Sequence, residues 1–405
     1  MKRIKEFFNT PLVYSKNFVK WLLASVCVGI LGGVVGACFH LILDFVTEFR
    51  IHHSIIIYFL PLAGLVIAGL YYIFRSKGRL NTNRIIKAAS GDGEVPAIIV
   101  PLIFISTAIT HAFGGSAGRE GAALQIGGGI GYKLANVLKF NKDDTSILTI
   151  TGMSGVFSAL FGTPIAAAIF PIEVVRSQMK DFRAFFPCIV ASLIGRYISS
   201  LFEISPIAFK LTMNHTMSPA LVLKITILAL LCVVLGIVFC TSVRCSERIM
   251  KKYIPNSYLR AFFGGVFVVA LTLLVRTYDY NGAGMDVITN AVSGNAKPEA
   301  FLLKIIFTAI TLAAGFCGGE IVPTLFIGST FGCVIAPILG IDAGFGAALG
   351  MVSMFCSVTK TPLASIFIAV EMFGVQGILF YAIVCSISFM MSGYKGLYIT
   401  PKENN

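Results

Sequence analysis

The chain has 405 residues, 56% of them hydrophobic and 13% charged, with 32 Lys and Arg against 19 Asp and Glu for a formal net charge of +13. A mean hydropathy of +0.86 excludes a soluble domain with an ordinary solvated surface and describes a polytopic membrane protein. The basic residues lie in short flanks between apolar runs, which argues against a nucleic-acid partner.

In chain order, residues 1–20 carry Lys2, Arg3, Lys5, Lys16 and Lys20 and read as a cytoplasmic tail. The apolar run after them is too long for a signal peptide and has no cleavage site. Runs then follow at Leu22 to Phe45, Ile55 to Phe74, Ile98 to Phe113, Ile147 to Val174, Leu221 to Val243, Ala261 to Val275, Leu302 to Phe316, Ile321 to Leu339, Ala343 to Cys356, Pro362 to Phe373 and Ile378 to Met391. Several fall short of the roughly 20 residues needed to cross a bilayer. Short segments interrupted by Gly and Pro are expected where helices break at membrane depth around a site, because irregular backbone survives there only when protein or a cavity surrounds it.

The Lys/Arg clusters at Arg75, Lys77, Arg79, Arg84 and Lys87, at Arg244, Arg248, Lys251 and Lys252, and at Lys395 and Lys402 mark further cytoplasmic flanks, so a multi-pass protein of the cell membrane with both termini cytoplasmic is expected. The ten cysteines show no C-x-x-C spacing and read as small hydrophobes. Asn214-His215-Thr216 fits a glycosylation acceptor, a weak three-residue pattern.

A self-match organises the chain. TGMSGVFSALFGTPIAAAIFPIEVV, Thr151 to Val175, lies without a gap over LGMVSMFCSVTKTPLASIFIAVEMF, Leu349 to Phe373. A weaker match sets GREGAALQIGG around Glu120 over GGEIVPTLFIG around Glu320. The expected division is a first membrane repeat at 21–204, a connector at 205–220, a second repeat at 221–398 and a short cytoplasmic C-terminal tail at 399–405, with the site where the repeats meet.

Thr163-Pro164 and Thr361-Pro362 are helix starts, with Thr as N-cap and Pro at the first helical position. A helix that starts in mid-membrane points unpaired N–H groups and its positive dipole end at the cavity, which suits an anion. Gly114 to Gly118 and Gly318-Gly319 supply two more such starts. Four acids fall in the apolar parts of the repeats: Glu120, Glu173, Glu320 and Glu371. An acid at membrane depth is a functional candidate, against the alternative of a carboxylate that ties backbone amides or an Arg together. The glycines on either side of Arg119-Glu120 leave the Glu120 carboxylate free to swing. Ionised Glu120 would occupy the anion's own site, and its protonation would open the path. A buried Arg facing the anion would hold it too tightly, so Arg119 reads as an internal partner of a carboxylate or carbonyl.

Gly114-Gly115-Ser116-Ala117-Gly118 fits G-x-S-x-G, and Gly152-Met153-Ser154-Gly155 fits the G-x-S-G of intramembrane serine proteases. Of the five histidines only His215 follows either serine, in a polar connector, so a hydrolase stands as the rival from another class, with helix packing as the plain role of both serines. No pattern argues for a metal or an organic cofactor.

GGSAGREGAALQIGGGIG resembles the G-[KR]-E-G-P signature of the CLC chloride channels and chloride/proton antiporters. GGEIVPTLFIGSTFG resembles their G-x-F-x-P segment, FSALFGTPIAAAIFPIE their following helix, and Gly396-Leu397-Tyr398 the stretch that carries the pore tyrosine. The resemblance implies an all-α protein of two inverted-topology halves with broken and tilted helices, and a homodimer with one pore per subunit. It implies transport of halide anions, chloride or fluoride, either coupled to protons or through a passive channel, and no enzyme activity. Glu120 takes the place of the gating glutamate, and Tyr398 that of the tyrosine whose hydroxyl contacts the anion. The implied anion-binding segments include Gly118, Arg119 and Gly121 around the gate and Glu320, Ile321, Val322 and Pro323 opposite.

Two departures bear on the ion. The G-S-G-I-P signature expected within Gly78 to Ser90 is absent, leaving Asn81, Thr82 and Asn83 as possible ligands there, and Gly-Gly-Glu at Gly318 to Glu320 looks like the fluoride-exporting branch. That branch usually has Thr where this chain has Ala122 and Val322. Glu173 aligns with the first acid of the pair found in chloride/proton antiporters, and the second position is Val174, which removes that proton route.

Overall fold

The computed structural model describes residues 2–74, 82–175, 182–211, 216–393 and 396–398, with side chains of the first helix from Ser15 onward. Asn81, the basic residues of 75–79, Asn214, His215, Lys395 and Lys402 lie outside the described residues. The described residues form sixteen α-helices and no strand: α1 (Lys2–His52), α2 (Leu60–Ile73), α3 (Thr82–Ala89), α4 (Ile99–Ala112), α5 (Glu120–Val137), α6 (Lys142–Phe161), α7 (Pro164–Val175), α8 (Phe185–Leu201), α9 (Pro219–Tyr253), α10 (Ser257–Val275), α11 (Met285–Val292), α12 (Ala300–Ala314), α13 (Ile321–Ile338), α14 (Ala343–Thr359), α15 (Pro362–Phe373) and α16 (Ile378–Met391). Five segments are long and apolar enough to cross a membrane, and seven further apolar helices are shorter. This is a multi-pass membrane protein in which many apolar helices are shorter than a full crossing.

Two expectations change. The stretch read as a tail, residues 1–20, is helical from Lys2 and continuous with the first span. The run Ile147 to Val174 is not one helix. Gly162 takes a left-handed conformation (φ 75°) that ends α6, and Pro164 starts α7 two residues later. Lys360 does the same at the end of α14 (φ 62°), before Pro362 starts α15. A side chain pays for that conformation where glycine does not. The Lys360 ammonium donates to the Ser392 carbonyl at 2.7 Å and helps hold the turn.

The self-match reappears as one packing device used twice. An added Cβ on Gly127 would sit 2.3 Å from the Gly152 carbonyl oxygen, and one on Gly328 would sit 2.5 Å from that of Gly350. Gly152 and Gly350 are partners in the sequence match, so α5 lies on α6 as α13 lies on α14. Backbones this close need glycine on both faces, the small-residue packing used where lipid supplies no hydrophobic drive. The central helices are therefore nearly sealed: all residues of α14 from Gly344 to Thr359 are buried. Apolar side chains such as Leu23, Leu193, Tyr197, Leu274 and Met390 point outward, as a lipid-facing surface requires.

Candidate functional site

Both glycine-rich helix starts converge on one point. Gly118 and Gly319 pair as an isolated antiparallel bridge, each N–H donating to the other's carbonyl at 2.7 Å. This bridge sets the start of α5 beside the start of α13. Helix starts leave their first N–H groups without intrahelical partners, and Pro323 removes one of these at α13. An added Cβ on Gly319 would fall 2.4 Å from the Gly121 nitrogen, a backbone atom that cannot turn aside. Gly319→Ala is therefore expected to separate the two starts, abolishing ion movement through the site and destabilising the protein by about 1–3 kcal/mol, read by flux and thermal unfolding together.

Glu120 lies at this junction and is wholly buried. Its Oε2 accepts the Arg119 N–H at 3.0 Å, while Oε1 has no hydrogen-bond partner. The carboxylate thus sits on the first turn of its own helix, where an anion would be held. Tyr398 is buried with its Oη unpartnered, within electrostatic range of both Glu120 and Glu320. Its segment is held by the Leu397 N–H, which donates to Val358 O at 2.9 Å, and by the Arg244 guanidinium, which donates to Gly396 O.

A cavity opens on either side of the junction. One, of about 150 Å³, is lined by Thr82, Asn83, Gln125, Arg244, Glu320 and Tyr398 among others. The other, of about 500 Å³, is lined by Asp44, Arg50, His111, Arg119 and Asn281 among others. Glu120 is between them and belongs to neither lining.

The structure separates the expected site residues. Glu120, Gly121, Glu320, Ile321, Val322 and Tyr398 come together. Gly118 is present, but its N–H is committed to Gly319 and is not available to an ion. The Arg119 guanidinium turns away: Nη1 binds Asp44 Oδ1 at 2.8 Å, and Nε lies 3.7 Å from Glu120 Oε1. Its side chain is engaged by these two carboxylates. Thr82 accepts the Gln125 amide at 3.2 Å at the edge of the smaller cavity, beside Asn83.

Glu173 and Glu371 do something else. Glu173 accepts the Leu363 and Ala364 N–H groups at 3.3 and 2.8 Å, and Glu371 accepts those of Ile165 and Ala166 at 2.9 Å each. Each carboxylate caps the other repeat's broken helix. The starts at Thr163-Pro164 and Thr361-Pro362, expected to face an anion, are therefore filled by protein carboxylates, with the charge favoured by the helix dipole. Val174, beside Glu173, is buried in the apolar core.

The serine-hydrolase geometry is absent from the described residues. Ser116 Oγ pairs with Thr308 Oγ1 at 3.1 Å, and Ser154 Oγ donates back to Ile150 O at 3.3 Å. Neither touches a histidine, and His111 spends Nδ1 on the Thr107 carbonyl at 3.0 Å. Sequence reasoning missed Asp44, 75 residues from Arg119, because nothing local connects the two. It also missed Gln125, whose position one turn after Gly121 on the same face was legible.

Residues 63–393 match the family described as the voltage gated chloride channel. The chain belongs to this family. It is 32% identical over 386 residues to the chloride/fluoride channel protein of Pseudomonas syringae pv. tomato, covering 94% of this chain and 85% of that one. It is 27% identical to the H(+)/Cl(-) exchange transporter ClcA of Vibrio campbellii, covering 90% of this chain and 83% of the relative. Among solved structures, a CLC-type fluoride/proton antiporter superposes with a TM-score of 0.90 at 32% identity, covering 94% of this chain and 97% of that one. A slow cyanobacterial Cl-/H+ antiporter superposes at 0.83 and 19% identity over 93% and 96% of the two chains, a likeness of fold. Members of the family are transporters or channels, not enzymes.

Proposed function

We propose that this chain exchanges a halide, fluoride in preference to chloride, for protons across a cell membrane, with Glu120 as both gate and proton carrier. The observation that carries this reading is the Glu120 carboxylate lying on the first turn of its own helix, between two cavities and beside the start of α13. The site already holds an anion, and that anion is a side chain. Protonation cancels its attraction to the helix start, the side chain leaves, and a halide takes its place among the first-turn amides of Gly121, Ile321 and Val322 and the Tyr398 hydroxyl. The unpartnered buried Oη is a donor without an acceptor, as an anion-binding hydroxyl should be. When the halide leaves, Glu120 returns ionised and has moved a proton between the two sides.

Three features favour fluoride. The relatives at 32% identity carry fluoride in their names, and the usual first signature is missing at 78–90. Fluoride also holds its water most tightly of the halides, so its site must supply strong donors in close quarters, and the cavity beside Tyr398 is small and walled by Thr82, Asn83 and Gln125. The basic flanks at Arg244 and Arg248 support an orientation with the Tyr398 side, and both termini, in the cytoplasm. The reciprocal caps and twin glycine contacts support two inverted halves, and the family supports a homodimer with one pore in each subunit.

Purified protein in liposomes loaded with fluoride or chloride, with vesicle pH followed in parallel, tests the reading. Fluoride efflux faster than chloride with counter-movement of protons is expected. Faster chloride efflux with a silent pH trace would replace it with a passive chloride channel. Tyr398→Phe is expected to raise the half-saturating fluoride concentration roughly tenfold or more, the worth of a hydrogen bond to a charged group. Unchanged affinity would remove Tyr398 from the site.

A further inference from the structure

The larger cavity contains charge that the gate does not use. Arg50, at the end of α1, lines it and has no carboxylate within ion-pair distance among the described residues. Its Nη1 is buried without a hydrogen-bond partner. The guanidinium lies over Gly282, where an added Cβ would come within 2.9 Å of both Nη1 and Nη2, so that glycine (φ 61°) makes the room the group occupies. The Gly282 carbonyl is already taken by the Lys304 ammonium at 2.7 Å, together with Tyr280 O at 3.2 Å.

His111 lines the same cavity and is 2% exposed; with its Nδ1 proton on the Thr107 carbonyl, Nε2 of the neutral ring presents a lone pair and no donor. It lies within electrostatic range of Arg50, Arg119 and Lys304. The acids around the cavity are engaged elsewhere or lie at its exposed rim. Asp44 binds Arg119 and His40 at 2.8 Å each, Glu48 lies 4.0 Å from His52, and Asp279 binds Lys297 at 2.7 Å. In the loop outside the spans, that contact raises the Lys297 ammonium above its ordinary value. Asp286 also lines the cavity but forms no ion pair with Arg50.

A guanidinium that is only partly exposed, with one nitrogen buried and no counter-charge beside it, is costly, and such a charge is normally paired. We infer that the Arg50 guanidinium forms a second halide subsite on the Arg119 side of the gate, which captures the anion arriving at, or receives the anion leaving, the Glu120 position. This rests on the halide reading of the main site. In a cavity of about 500 Å³ the ion keeps part of its water, so the subsite raises local anion concentration without choosing among halides. A guanidinium holds an anion while the surrounding acids keep the field weak enough for release, and selection is left to the tighter junction beyond.

Crystals of the Glu120→Gln protein soaked in bromide test it without reference to transport. An anomalous peak in the larger cavity beside the Arg50 guanidinium is expected, lost in Arg50→Gln and kept in Arg50→Lys. Its absence in a protein with Arg50 intact overturns the subsite. In vesicles of uniform orientation, Arg50→Gln is expected to raise the half-saturating fluoride concentration on the Arg50 side roughly tenfold and leave the Tyr398 side unchanged. Equal change on both sides, or none, also overturns it. If the unaltered protein moves no halide but shows the bromide peak, the transport reading fails and the subsite stands.

Discussion

Glu120→Gln is expected to leave halide movement running and to abolish its coupling to protons. The amide keeps the size of the side chain and cannot be ionised, so it neither competes as an anion for the start of α5 nor carries a proton away. In liposomes, a proton gradient should then drive no uphill fluoride accumulation, and flux should lose its dependence on pH. Fully coupled exchange in the variant would mean that another group moves the proton. Loss of all flux in a protein that still folds would make Glu120 a structural group. Val174 sharpens the test: with an apolar, buried residue beside Glu173, that position offers no relay to substitute for Glu120.

Glu173→Ala is expected to lower stability by about 1.5–3 kcal/mol, because two first-turn N–H groups of α15 lose a charged acceptor inside the protein. Glu371→Ala should cost less, since the Ile165 N–H it accepts is at an exposed position. The two carboxylates join the same pair of helices, α7 and α15, so their effects should not add. Thermal unfolding of the single and double variants in detergent measures this. Glu173→Gln retains one acceptor oxygen and should cost less than Ala while leaving the halide-to-proton ratio unaltered. A changed ratio in Glu173→Gln, with stability intact, would return Glu173 to the proton path and overturn its role as a cap.

These caps show where the sequence was ambiguous. Four acids at membrane depth were alike by composition and spacing, and each had a functional and a structural reading. Glu120 differs from Glu173 and Glu371 in what faces it. Its carboxylate lies over the start of its own helix, whereas the starts of α7 and α15 each receive one from the other helix. The helix starts themselves were readable from Thr-Pro and from the glycine runs, because capping and proline placement depend on a few consecutive residues. The occupant of each start was not, because it arrives from roughly two hundred residues away.

The sequence by itself determined the membrane class, the twice-used glycine contact and the candidate gate. Apolar content, the aligned Gly152 and Gly350, and an acid set among glycines all express local rules of burial, backbone approach and chain flexibility. Only the tertiary structure decided which polar groups meet. Asp44 takes the Arg119 guanidinium, Gly118 and Gly319 use their N–H groups on each other, and Arg50 has no acid within ion-pair distance among the described residues. Charges and amides at membrane depth must find partners inside the protein. Closure of the two repeats on one another settles those pairings, and no stretch of consecutive residues records them.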